Sequence, residues 1–235
     1  MFFNLRLCRL FGVDIKLHST LFLFYIVLAA PNVSAHGWSS LTSLTAYFFG
    51  LFASVLIHEY GHVFMARLHG VDCRTITLHG LGGLAHLEGE LRRPRSEFLV
   101  AAAGPLVSFA LAGVLWATSL IIPHDAVAKT IGELAFLNIL FGCFNLLPAY
   151  PMDGGQMLHA VIWAWSREVA DIVCGLVSRV LGFAMIALGL YYGMINLAII
   201  GVLLFVFAPS LTARRKENED CLPKDTPHSI TPRTE

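Results

Sequence analysis

The sequence predicts an all-α polytopic membrane protein of about six transmembrane helices, with a small β-hairpin or sheet element between the second and third. Of its 235 residues, 56% are hydrophobic and 14% charged, against about 25% charged in ordinary soluble domains. Several apolar runs approach the roughly 20 residues that a helix needs to cross about 30 Å of hydrocarbon. The basic residues collect in alternate connections between those runs, the pattern of a chain oriented in a bilayer. In lipid a backbone must satisfy its own hydrogen bonds, so runs of this length read as helices.

Residues 1–17 read as a short amphipathic or extended lead-in. A first span follows over Leu17–Ala30 and stops near Pro31-Asn32. Arg6, Arg9 and Lys16 precede it, and Val33-Ser34-Ala35 has the small-residue form of a signal cleavage site. The apolar Phe2, Phe3, Leu10 and Phe11 before the run favour an uncleaved helix instead. The second span is Leu41–Leu68. Beyond it, Arg74-Thr75-Ile76-Thr77-Leu78 alternates in polarity and is surrounded by Gly80, Gly82, Gly83 and Gly89, a hairpin signal. Phe98–Ile122 is the third span, with Ala101-Ala102-Ala103-Gly104-Pro105 near its start, where small side chains let a neighbouring helix come close. Ile131–Leu147 is the fourth. Pro148 ends it, and Pro151-Met152-Asp153-Gly154-Gly155 reads as a helix-to-loop break, followed by a shorter segment bearing Trp163 and Trp165. Residues 169–210 divide at Tyr191-Tyr192-Gly193 into a fifth and a sixth span. The predicted organisation is a membrane-embedded domain over 1–211 and a disordered cytoplasmic tail over 212–235, where prolines and charges replace the apolar runs.

Arg6, Arg9 and Lys16, then Arg67, Arg74, Arg92, Arg93 and Arg95, then Arg214, Arg215 and Lys216 place their segments in the cytoplasm, both termini included. A net charge of +0 with no basic stripe argues against nucleic acid as a partner. The five cysteines form no CxxC pair, which removes a thiolate metal site and a disulfide framework.

His58-Glu59-Tyr60-Gly61-His62 falls inside the second span. At about 100° per residue, histidines four positions apart share a helix face, so both imidazoles can bind one metal ion while Glu59 takes a proton from metal-bound water. A single buried histidine is more often a satisfied polar residue of a helix bundle. Glu59, however, follows an uncharged run from Leu41 to Ile57, and an ionised group at membrane depth costs about 2.5–3.5 kcal/mol unless a partner offsets it. A catalytic zinc takes three protein ligands, and Asp153 is the best third candidate. The span order brings it to the same cytoplasmic side as His58 and His62. His79, His86 and His159 compete for that role, with His79 and His86 fitting a hairpin and His159 an interfacial position.

These residues resemble the site-2 protease family of intramembrane zinc metalloproteases, peptidase family M50. Its two signatures, H-E-x-x-H and N-x-x-P…D-G, appear as His58–His62 and as Asn145-Leu146-Leu147-Pro148…Asp153-Gly154. The resemblance covers roughly residues 1–210 and includes the Gly82-Gly83 hairpin and Ala103-Gly104-Pro105. It implies one Zn2+ held by His58, His62 and Asp153, Glu59 as catalytic carboxylate, and Asn145 near the site, helping to hold substrate. It also implies membrane-anchored protein substrates, a bilayer environment and a prokaryotic cytoplasmic membrane. No insertion accommodates the PDZ domain of some members, and the tail is too short for the paired CBS modules of others. The nearest likeness is therefore to minimal prokaryotic members, and nothing in the sequence fixes an oligomeric state. A metal transporter is the rival of another class, but an ion pathway needs no general base between ligands at i and i+4. A proteolytically silent member is a second rival, and the intact Glu59 counts against it.

Overall fold

The computed structural model describes residues 3–208 apart from positions 39, 81 and 124. Its elements run β1 (Asn4–Leu10), β2 (Val13–His18), α1 (Ser19–His36), α2 (Ser40–Leu68), β3 (Asp72–His79), β4 (Gly82–Glu88), α3 (Pro94–Ser119), α4 (Asp125–Asn145), α5 (Asp153–Trp163), α6 (Arg167–Tyr191) and α7 (Ile195–Phe207). Four helices, α2, α3, α4 and α6, are long and apolar enough to cross a membrane, while α1 and α7 are shorter apolar helices. The tail expected over 212–235 lies outside the described residues.

The lead-in expected over 1–17 is a β-hairpin, and the element between α2 and α3 is half of a larger sheet. The four strands lie in the order β1-β2-β3-β4. The pairs β1/β2 and β3/β4 are antiparallel, and β2 joins β3 in parallel, with Ile15 beside Ile76. The cause is alternation. Val13 and Ile15 are buried and point to one face, and the next residues on that face of β3, Ile76 and Leu78, close over Val55, Tyr60 and Val63 of α2. Two strands alone would leave this apolar face wet. The turn joining β1 to β2 has positive φ at both Phe11 (48°) and Gly12 (81°), as two-residue hairpin turns require. Phe11 adopts this conformation with its ring edge-on to Tyr60 and Phe64, and Arg67 Nη1 donates to its carbonyl at 2.8 Å.

Two boundaries differ from those predicted. α1 does not stop at Pro31 but continues to His36, because a proline removes one helical donor without forcing an end where neighbouring groups tolerate the gap. Gly154 and Gly155 belong to the first turn of α5 rather than to a loop. There the chain folds back so tightly that a Cβ on Gly154 would strike the carbonyl of Leu146, and one on Gly155 would lie 2.6 Å from the backbone carbon of Ala149. The division at Tyr191-Tyr192-Gly193 coincides with the α6–α7 turn, where Gly193 has φ 67°.

Candidate metal centre

His58 and His62 stand one turn apart on α2, and their Nε2 atoms are 3.1 Å from each other. Asp153, first residue of α5, faces both. Its Oδ2 is 3.1 Å from His58 Nε2 and its Oδ1 is 3.3 Å from His62 Nε2. His58, His62 and Asp153 are the one group of three or more metal-ligating side chains found among the described residues, and their ligand atoms all lie within 4.8 Å of one another.

Hydrogen bonding explains why this cluster fits a cation. His62 Nδ1 is 2.7 Å from the Val100 carbonyl, which can only accept, so Nδ1 carries the proton and Nε2 of the neutral ring is a bare acceptor. His58 Nδ1 is held by Ser108 Oγ at 2.9 Å. Asp153 Oδ2 is buried without a hydrogen bond of acceptable geometry, despite its closeness to His58. His62 Nε2 and the Asp153 carboxylate thus face one point as acceptors, and His58 Nε2 joins them in the tautomer whose Nδ1 donates to Ser108. Three ligands each about 2.0–2.2 Å from a tetrahedral zinc would stand about 3.3–3.6 Å apart, a few tenths of an ångström beyond the 3.1, 3.1 and 3.3 Å observed.

α3 shapes the other wall. Gly104 packs so closely on His62 and His58 that a Cβ there would collide with His62 Nε2 and lie 2.7 Å from His58 Nε2. On the next face of the cluster, the Phe141 ring of α4 meets His58 edge-on at 4.8 Å between centroids. Asn145, one turn beyond Phe141, donates through Nδ2 to the Phe141 carbonyl at 3.1 Å.

Glu59, between the two histidines in sequence, is 8% exposed and points to β4. Its carboxylate is within hydrogen-bonding reach of the Ala85 backbone, and a Cβ on Gly83 would lie 2.6 Å from Glu59 Cγ. The glycine at 83 thus lets a sheet edge lie directly over the acid. His79 and His86 stand on β3 and β4 and do not join the cluster. His159, expected at an interface, is 2% exposed and sits between Glu97 and Asp171. Sequence reasoning missed Val100, Ser108, Glu97 and Asp171 altogether. The small residues 101–104 marked α3 as a close-packing helix, but nothing local tied its polar groups to histidines about 40–50 positions earlier.

The family described as Peptidase family M50 matches residues 46–133 and 122–189. A zinc metalloprotease of Methanocaldococcus jannaschii is 32% identical over 215 residues, covering 88% of this chain and 59% of that protein. A putative zinc metalloprotease of Synechocystis is 33% identical over 208 residues, covering 84% of this chain and 55% of that protein. The chain therefore spans somewhat over half the length of these curated relatives. Among solved structures, a site-2 protease from Methanocaldococcus jannaschii matches with a TM-score of 0.68 and 30% identity, over 88% of this chain and 94% of that one.

Proposed function

The chain belongs to peptidase family M50, and we propose that it is a zinc metalloendopeptidase that hydrolyses peptide bonds in or near the transmembrane segments of membrane-anchored proteins. The observation that carries this reading is the meeting of three candidate ligands, His58, His62 and Asp153, with an adjacent buried acid, Glu59, beneath a free sheet edge. His58, His62 and Asp153 would hold the ion. Zinc in such a site supplies Lewis acidity to a carbonyl and to a water, moving the water's pKa from 15.7 toward about 7. Glu59 takes the proton from the attacking water and returns it to the leaving amine. The Val100 carbonyl and Ser108 keep the two imidazoles turned with Nε2 inward. Asn145, tied to the Phe141 backbone beside His58, is assigned to the substrate side of the site.

A helical substrate hides its carbonyls in internal hydrogen bonds, so it must unwind locally, and each unsatisfied backbone group costs several kcal/mol in lipid. β4 is an edge strand of the sheet, and its Gly83 meets Glu59. Strand addition to that edge would give an unwound substrate replacement partners and bring it to the acid. Leu84→Pro is therefore expected to reduce cleavage of a helical substrate about tenfold or more without releasing zinc, since proline removes a backbone donor. Ile76→Pro, in the interior strand, should impair cleavage as well, through the sheet's pairing. Unchanged cleavage by folded, zinc-loaded Leu84→Pro protein would exclude this edge as the docking strand.

Six spans with both termini cytoplasmic require α1 and α7 to cross, although α7 has 13 residues, or about 20 Å at 1.5 Å per residue. In a cysteine-free background, Arg92→Cys should be labelled from the cytoplasm, and Gly37→Cys and Tyr192→Cys from the opposite side. Cytoplasmic labelling at 192 would leave α6 and α7 as one re-entrant unit.

A further inference from the structure

The zinc ligands come from two bodies: His58 and His62 from α2, Asp153 from α5. Their separation depends on what joins α5 to the wall behind the histidines, and that wall is α3. Glu97, Val100, Gly104 and Ser108 recur at intervals of three and four along α3, one face of the helix. Val100 and Ser108 hold the two imidazoles, and Gly104 packs against both. Glu97, at the N-terminal end of the same stripe, reaches α5 instead. Its Oε1 is 2.7 Å from His159 Nδ1, while His159 Nε2 is 3.0 Å from Asp171 Oδ1 of α6. The imidazole is 2% exposed and neighbours the rings of Tyr150 and Trp163, with the Arg167 guanidinium 5.0 Å from the Trp163 ring centroid.

Both ring nitrogens thus face carboxylate oxygens. A neutral imidazole has one N–H, so it can donate to one of them only and would turn a lone pair toward the other. As an imidazolium it donates to both, and two acidic side chains on separate helices gain a common cation. Six residues, about 9 Å along the helix, separate His159 from Asp153.

We propose that His159, as an imidazolium clamped between Glu97 and Asp171, is a positioning residue that locks α5 to α3 and α6 and so sets the distance of Asp153 from the histidine pair. The inference rests on the metal-site reading above. It concerns a residue outside the group His58, His62 and Asp153, and its loss acts on metal affinity through helix placement.

The test is zinc affinity of the full-length protein in detergent, measured by competition with a chromophoric chelator, alongside circular dichroism and size-exclusion profiles. H159Q keeps a polar side chain and removes the cation. It is expected to weaken zinc binding about 10–100-fold, the range produced by loss of a supporting partner, while H159R and H159K restore affinity to within a few-fold of wild type. E97Q and D171N leave His159 in place and should each weaken binding about tenfold, which keeps the test usable if H159Q does not fold. Wild-type affinity in H159Q, or in both E97Q and D171N, would overturn the proposal. So would H159R and H159K binding as weakly as H159Q, since packing and not charge would then be the cause. Wild-type protein that takes up no zinc would overturn the metal-site reading and this inference with it, an outcome distinct from the others.

Discussion

Glu59→Gln is expected to lower peptide cleavage about 10²–10⁴-fold, the usual contribution of a positioned acid–base group, while the protein retains one zinc per chain. Glutamine fills the same space, so the contact with Gly83 and the reach to the Ala85 backbone survive the change. What disappears is the ability to accept a proton from water and release it to an amine. The three candidate ligands are untouched, because Glu59 is not one of the clustered metal-ligating side chains. Purified wild-type and mutant proteins, assayed together for bound metal and for cleavage of a transmembrane substrate, separate these roles. Cleavage within a few-fold of wild type would remove Glu59 from the mechanism. Loss of zinc along with activity would make it a ligand instead.

Asp153→Ala carries the second large expectation, on metal binding itself. Removing the carboxylate leaves two neutral imidazoles, one ligand short of the three that hold a catalytic zinc. It also opens space at a buried helix start where Asp153 is 7% exposed. Zinc affinity should fall by more than about 100-fold, beyond the 10–100-fold loss that outer-shell changes produce, and cleavage should fall with it. Chelator competition followed by metal analysis reads the first effect directly. Full zinc retention by the folded mutant would exclude Asp153 as a ligand. His159 offers no substitute, since both its nitrogens are engaged by Glu97 and Asp171.

The helices were legible because membrane spans write themselves as continuous apolar runs, and the hairpin at β3–β4 because glycines bracket an alternating segment. The β1–β2 hairpin was not read, although Val13, Ile15 and Leu17 alternate with Asp14, Lys16 and His18. A neighbouring apolar helix masked a strand signal only six residues long. Pro31 misled for the opposite reason, since a proline can kink a helix as well as end it, and α1 continues through it to His36.

The sequence by itself determined the pairing of His58 with His62, because residues four apart on a helix share a face whatever surrounds them. Span order and loop charge also singled out Asp153 as the expected third partner of the two histidines. Only the tertiary structure decided how close the three come and what holds them. The Val100 carbonyl, Ser108 and Gly104 act across the α2–α3 contact, Gly83 across the contact of β4 with α2, and Glu97 and Asp171 across the packing of α3, α5 and α6. Those contacts join residues far apart in the chain, and no local period or composition records which side chain will meet which. His159 shows the consequence most directly: by spacing it was an interfacial residue or a spare ligand, and packing made it the common partner of two acids.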